Sequence, residues 1–384
     1  MNEYKIVKIT DLGTVNRGKS KHRPRNDSIL YGGEYPFIQT GDVKKANLHL
    51  VDYTQTYNDV GLKQSKLWKK GTLCFTIAAN IADSAILGMD ACFPDSIVGF
   101  LPYENVSDTT YVKYLFDELK LYFQQISKGT TQDNLSLDKI CRVKLRVPDY
   151  DTQVKVASIL STYDNLIENN NKRIRLLEQM AENLYKEWFV RFRFPGYEDV
   201  EFIDGFPKEW KICRMDQLAK IKAGGDAPAD STKELTDECS IPIYSNGIEN
   251  EGLYGYTSKA KISKPSITIS ARGTVGYTCL RRVHYTPIVR LICIIPHEEK
   301  LANWLYYYFK RTIVIANGTS QQQITIPMMS REKVLFPTED LINKFYDYST
   351  AYLDEMDRLK EQNSNLKKQR DMLLPRLMSG KLEV

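Results

Sequence analysis

The chain has 384 residues, 42% of them hydrophobic and 26% charged, with a net charge of +5. That length suffices for two domains that each bury a core, and so mild a basicity selects no partner by itself, because the placement of charge matters more than its sum. Seven scattered cysteines without a CxxC pair, and four histidines never at ligand spacing, speak against a disulfide framework or a structural metal site. Residues 1–5 carry no signal peptide and no apolar run nears membrane-spanning length, so a soluble, cytoplasmic chain is expected.

Residues 1–150 read as short strands punctuated by turns. Segments 73–79 and 140–147 have strand patterns, the second alternating apolar residues with Arg142, Lys144 and Arg146. Residues 111–126 predict a helix with Tyr111, Leu115, Leu119 and Tyr122 on one face. Early in this region, Gly13-Thr14-Val15-Asn16-Arg17-Gly18-Lys19-Ser20 satisfies the phosphate-loop pattern GxxxxGK[ST]. That pattern works only where a helix opens behind it. Here Lys21-His22-Arg23-Pro24-Arg25-Asn26 follow, with too much like charge and a proline. The same residues offer a basic cluster, Arg17, Lys19, Lys21, Arg23 and Arg25, suited to tracking a phosphate backbone. A solvated loop is the plain alternative.

From 151 the pattern changes to a long helix. Leu160, Tyr163, Ile167, Asn170, Ile174, Leu177, Ala181, Leu184 and Trp188 step by threes and fours, as in a coiled-coil seam. A second unit then repeats the plan of the first, with a strand at 267–270 and a helix at 304–315. A second seam closes the chain: Tyr352, Met356, Leu359, Asn363, Leu366, Arg370, Leu373 and Leu377. Each seam holds one asparagine. Paired in parallel repeat register, Asn170 would face Leu359 and Asn363 would face Ile174. Run antiparallel, the two amides meet, avoiding a penalty of about 1–3 kcal/mol for each unpaired group. An antiparallel pair is therefore predicted, a rod of roughly 60 Å.

The repetition is literal. Gly129-Thr130-Thr131-Gln132, Leu137 and Pro148 recur at Gly318-Thr319-Ser320-Gln321, Ile326 and Pro337. Lys5-Ile6, Ile9, Leu12, Val15 and Gly18 recur at Lys211-Ile212, Met215, Leu218, Ile221 and Gly224. The expected fold is thus α+β: two domains, each a twisted sheet with helices, joined by two long helices in an antiparallel coiled coil with pseudo-two-fold symmetry.

Polar segments fall at equivalent places in the two copies. Gln39-Thr40-Gly41-Asp42 matches Ser245-Asn246-Gly247-Ile248, and residues 76–80, ending at Asn80, match Ser270-Ala271-Arg272-Gly273-Thr274. Gln39, Asn246 and Arg272 are of the types that read base edges bidentately. Ordinary turn chemistry explains the same composition. Thr130, Thr131 and Gln132, with Thr319, Ser320 and Gln321, offer hydroxyls and amides to phosphates or simply cap a turn. No HExxH, GxSxG, Asn-Pro-Pro-aromatic segment or paired carboxylates stand out, so the chain reads as a binder rather than a catalyst.

The chain resembles the specificity (S) subunit of type I restriction–modification systems over nearly its whole length. The likeness rests on Leu184-Tyr185-Lys186-Glu187-Trp188-Phe189-Val190-Arg191-Phe192-Arg193-Phe194-Pro195-Gly196 and on Gly205-Phe206-Pro207-Lys208-Glu209-Trp210. It rests also on Leu373-Leu374-Pro375-Arg376-Leu377-Met378-Ser379-Gly380, Tyr35-Pro36-Phe37-Ile38-Gln39-Thr40-Gly41-Asp42 and Ile269-Ser270-Ala271-Arg272-Gly273-Thr274-Val275-Gly276. Segment 76–82 lacks the glycine and arginine of its counterpart. The resemblance implies a first target recognition domain at 1–150, a spacer helix at 151–193, a second recognition domain at 194–339 and a second spacer helix at 340–384. Each domain would read one half of an asymmetric, gapped double-stranded DNA site. The helices would set the gap and dock two methyltransferase (modification) subunits, which carry S-adenosylmethionine, while restriction subunits use ATP and Mg2+. No cofactor is expected in this chain. Two other functions fit parts of the pattern: a P-loop nucleotide hydrolase with a coiled-coil arm, and a coiled-coil scaffold without DNA contact.

Overall fold

The computed structural model describes residues 4–128, 135–271, 275–316 and 324–384. The chain forms two compact units, one from residues 1–173 with 359–384, the other from 174–358. Two helices, each 40 residues long, contribute to both.

In the first unit β1 (Lys5–Val7) runs through a one-turn helix α1 (Ile9–Leu12) into β2 (Gly13–Arg17). Then come β3 (Tyr31–Phe37), α2 (Thr40–Lys45), β4 (His49–Leu50), β5 (Gln55–Tyr57), α3 (Asp59–Gln64) and β6 (Leu67–Trp68). The strands β7 (Leu73–Thr76), β8 (Ser84–Leu87), β9 (Ala91–Cys92) and β10 (Ile97–Pro102) complete the sheets. One sheet has the order β2-β10-β7-β8-β4, the other β5-β3-β9-β6. β7 is buried along its whole length, as a central strand covered on both faces must be. Helices α4 (Thr109–Glu118) and α5 (Lys120–Ser127) close one face, with Phe75 edge-on to Phe116 and Phe123 at 4.5 and 5.4 Å. On the other face Trp68 lies against β10 so closely that a side chain at Gly99 would begin 2.6 Å from its ring.

Residues 140–147 depart from the expected strand. A helix α6 (Leu137–Arg142) comes first, and only β11 (Leu145–Val147) is extended. The Ser136 hydroxyl accepts the Lys139 N–H at 3.2 Å and caps that helix, so local capping overrides the apparent alternation. β11 pairs antiparallel with β1, setting Ile6 opposite Arg146. The first long helix, α7 (Tyr150–Phe189), follows.

The second unit repeats these elements. A hairpin of β12 (Phe202–Ile203) and β13 (Phe206–Pro207) precedes β14 (Lys211–Arg214), α8 (Met215–Leu218) and β15 (Ala219–Ala223), the counterparts of β1, α1 and β2. Next come β16 (Ile241–Tyr244), β17 (Leu253–Thr257), β18 (Ser266–Ile269), β19 (Thr278–Arg281), β20 (Thr286–Pro287) and β21 (Ile292–Pro296). Their sheets, β15-β21-β18-β19 and β17-β16-β20, match the first unit, except that among the described residues no strand stands for β4 and a single Ile262–Tyr285 bridge stands where β6 pairs with β9. A helix α9 (Leu301–Ala316), then α10 (Ile326–Arg331) and β22 (Lys333–Phe336), lead to the second long helix, α11 (Glu339–Met378).

Both units pack α7 against α11 in antiparallel fashion. In the first, Asn170 (4% exposed) donates from Nδ2 to Oδ1 of Asn363 (7% exposed) at 2.9 Å, and Asn363 donates to Asn171 at 2.8 Å. Further along, Arg370 pairs with the fully buried Asp164, and Leu160 packs near Leu377. In the second, the rings of Tyr185, Trp188 and Phe189 meet Phe345, and Trp188 also meets Tyr348. The meeting asparagines are the outcome that the seam pattern predicts: bonded amides fix register where apolar residues alone would slide.

Candidate nucleic-acid interface

Strand register gathers the polar segments of the first unit at one end of its main sheet. Arg17 lies opposite Val98, Ile97 opposite Thr76, and Phe75 opposite Ser84. The loop after β2, the turn before β10 and the turn holding Asn80 therefore leave the sheet on the same side. Asn80 shapes that turn, its carbonyl accepting from the Thr76 hydroxyl. Leu135 donates its N–H to Ile77 at 2.9 Å, joining the same edge. β3 and β9 are parallel, with Phe37 beside Cys92. Gln39 therefore emerges next to residues 93–95.

The phosphate-loop pattern has none of the required geometry. Its first five residues are β2 itself, and no helix follows before residue 28. The Gly18 and Lys19 amides are already bonded to Ile97 and Phe93 carbonyls at 2.8 and 3.0 Å.

The basic cluster divides in two. The Arg23 guanidinium folds back on the carbonyls of Ser20 and His22 at 2.7 and 2.8 Å, and Arg25 is bidentate on Asp95 at 2.7 and 2.9 Å. Arg17, Lys19 and Lys21 are exposed, and among the described residues none of the three forms an ion pair. Lys66, one residue beyond the Ser65 that bonds Lys19, adds a cation at this end, its ammonium 3.7 Å from the Trp68 ring. Gln39 is exposed and donates from Nε2 to the side-chain Oε1 of Gln55 at 2.6 Å, with the half-buried Thr40 beside it. Asp42 is buried and engaged as a helix cap, its Oδ2 accepting the Gln39 N–H at 2.9 Å.

In the second unit the same end of the sheet is built differently. Ala223 and Ile269 both face Ile292, so the loop at Gly224 and the turn after Ser270 leave together. Asn246 spans the gap: its Oδ1 accepts the Ala271 N–H and its Nδ2 donates to the Val289 carbonyl, both at 2.8 Å. Its amide is thus engaged in holding backbone, with Ser245 beside it. Where the first unit has the turn 94–97 with Asp95, the second has 288–291, with Val289 and Arg290 exposed at φ 52° and 58°. A β-branched residue in that region carries strain of about 1–3 kcal/mol. Lys261 reaches within 3.8 Å of where a side chain on Gly225 would begin. Behind this edge Arg281 is buried, stacked 3.7 Å over the Tyr244 ring and donating to Thr268 at 3.0 Å.

Thr130, Thr131, Gln132, Arg272, Gly273, Thr274, Thr319, Ser320 and Gln321 lie outside the described residues. Lys66, Lys261 and Arg290 stand in no pattern that marks them in the sequence. Only strand register brings them to the polar end. Among the described residues no group of His, Cys, Asp and Glu could hold a metal ion. No helix among them is long and apolar enough to cross a membrane.

Comparison with known proteins agrees with this geometry. The family model for the type I restriction modification DNA specificity domain matches twice, at residues 1–179 and 207–365. The MjaIX type I restriction enzyme specificity subunit of Methanocaldococcus jannaschii is 25% identical, the match covering 100% of this chain and 94% of the relative. The HindI specificity subunit of Haemophilus influenzae is 24% identical over 97% of this chain and 98% of its own. The crystal structure of a type I restriction-modification S subunit from M. genitalium has the same fold, with a TM-score of 0.61 at 14% identity over 98% of this chain and 96% of that one. This chain belongs to the type I restriction modification DNA specificity family, and its class is that of a recognition subunit without catalytic chemistry of its own.

Proposed function

We propose that each unit reads one half of a bipartite, asymmetric double-stranded DNA site through the polar end of its main sheet. The carrying observation is that one topology brings matched segments to one sheet end in both units while supplying different side chains there. Gln39 and Thr40 stand where the other unit has Ser245 and Asn246, and Lys19, Ser20 and Lys21 stand where the other has Gly225, Asp226 and Ala227. Equivalent supports with unlike side chains fit two unlike half-sites. Arg17, Lys19 and Lys21 are suited to phosphates. Gln39, Thr40 and Asn80, with Arg272, Gly273 and Thr274 of the second unit, are candidates for base edges. Thr130, Thr131, Gln132, Thr319, Ser320 and Gln321 are candidates for further backbone contacts.

In this reading α7 and α11 set the gap between the half-sites and dock two modification subunits. Those subunits supply S-adenosylmethionine chemistry, and restriction subunits supply ATP- and Mg2+-dependent chemistry. The assembly works in the cytoplasm, and this chain needs no cofactor.

Exchanging residues 1–150 for the first unit of another family member tests the reading. Methylome sequencing of a host expressing the hybrid is expected to report one altered half-site and an unchanged gap. Changes in both halves would contradict it.

A further inference from the structure

The backbone of residues 18–22 is held from two sides, although the Lys19 and Lys21 side chains are exposed. The Gln64 Oε1 accepts the N–H groups of both Lys21 and His22, at 2.6 and 3.0 Å. The hydroxyl of Ser65, itself 7% exposed, donates to the Lys19 carbonyl at 2.7 Å. At the other side a side chain on Gly18 would begin 2.3 Å from the Pro94 carbonyl oxygen, so the backbone is pressed onto the sheet end. The backbone is thereby fixed, while the Lys19 and Lys21 side chains stay exposed.

We infer that Gln64 and Ser65, at the C-terminal end of α3, are positioning residues for phosphate contact by Lys19 and Lys21. The inference rests on the DNA-recognition reading of this sheet end and deepens it. Ordering a loop costs binding free energy when it happens on contact, and a clamp made beforehand removes that cost. Among the described residues no side chain clamps Gly225 and Asp226, where the Gly225 carbonyl accepts the Val289 N–H at 2.9 Å instead, so the side-chain clamp is particular to the first unit.

A charge residue and a positioning residue leave different signatures in a salt series. Removing a phosphate-bound lysine lowers the slope of log K against log salt by about 1. Removing the clamp weakens binding without changing the number of neutralised phosphates. The experiment measures binding of a mixed-sequence duplex by the full chain loaded with modification subunits, across a salt series. Gln64→Met keeps side-chain length and removes the acceptor. It is expected to weaken binding about fivefold with the slope retained, and to speed hydrogen exchange at the Lys21 and His22 amides. Ser65→Ala is expected to act in the same direction, and it decides the matter if Gln64→Met fails to fold by thermal melting. If both variants bind like the parent while Lys21→Ala lowers the slope, the clamp has no role and the inference is overturned, with the DNA reading intact. If Lys19→Ala and Lys21→Ala both leave affinity and slope unchanged, the loop does not contact phosphate, and the inference falls with that reading.

Discussion

The two units share a topology yet are fastened to the long helices by opposite kinds of chemistry. In the first, Asp164 on α7 is wholly buried and takes bonds from the Tyr114 hydroxyl, the Asn47 amide at 2.9 Å and the Arg370 guanidinium. One turn on, Glu168 accepts the Leu48 and His49 amides at 3.1 and 2.7 Å and pairs with the His49 ring at 3.0 Å. In the second, the fastening is an aromatic cluster around Phe345, with one neutral patch where Asn303 donates to Ser349 at 2.9 Å and Thr350 at 3.0 Å. Its ion pairs, Lys310 with Glu178 and Arg282 with Asp354, lie at the partly open rim. A repeated fold therefore constrains where an anchor must be and leaves its chemistry free: a buried charge network demands all its partners, whereas an aromatic cluster tolerates gradual change.

The largest break in this comparison comes from removing one partner on each side. Arg370→Ala leaves the Asp164 carboxylate buried without its cation, and a loss of about 3–5 kcal/mol is expected, read as faster hydrogen exchange through the first unit. Phe345→Ala is expected to cost a similar 3–5 kcal/mol, roughly, through the cavity it leaves, with exchange rising in the second unit instead. A uniform response of both units to either substitution would contradict separate anchoring.

A smaller effect sits on the helix seam. Asn170→Leu alone strands the Asn363 carbonyl oxygen and is expected to cost about 1–3 kcal/mol by thermal or denaturant melting. The double substitution with Asn363→Leu should recover much of that loss, since an apolar pair replaces a bonded one. A double variant that loses the sum of the two single losses would mean that the amides act independently.

The smallest effect separates the units by pH. Burial works against ionisation of Glu168, but the His49 ring and the two backbone amides outweigh it and hold the carboxyl below its ordinary value of 4.5. A depressed carboxyl stabilises the fold above its unfolded value, and that contribution is lost as pH falls through the folded value. First-unit stability should therefore decline below about pH 4.5, and Glu168→Gln should flatten that acid limb. The second unit has depressed carboxyls of its own, Asp230 held down by bonds from Ser258 and Thr257 and Glu182 by Lys186 and Lys310, so its acid limb should stay unchanged in Glu168→Gln.

How much of this was legible beforehand depends on the range over which each feature acts. The helix seams at 160–188 and 352–377 could be read from period alone, and the two asparagines settled their direction, because burying an unpaired amide is costly wherever it occurs. The strand expected at 140–147 was half helix, because the Ser136 cap outweighed a short alternation. Of the five cluster bases, Arg23 proved to be engaged within the loop and Arg25 on Asp95 of a neighbouring turn, and nothing in their spacing distinguished them from Lys19 and Lys21. Asn246, a base reader by type, and Asp42 of the matching segment are both occupied with backbone.

The order of residues by itself determined the duplication, the helical stretches and the bonded asparagine pair, since repeats and periods are properties of a line. Tertiary structure alone decided that Gln64 grips a loop 43 positions earlier in the chain and that Arg370 meets Asp164 across 206 positions. Those meetings depend on sheet register and on how a helix seats against it, and no local pattern encodes either.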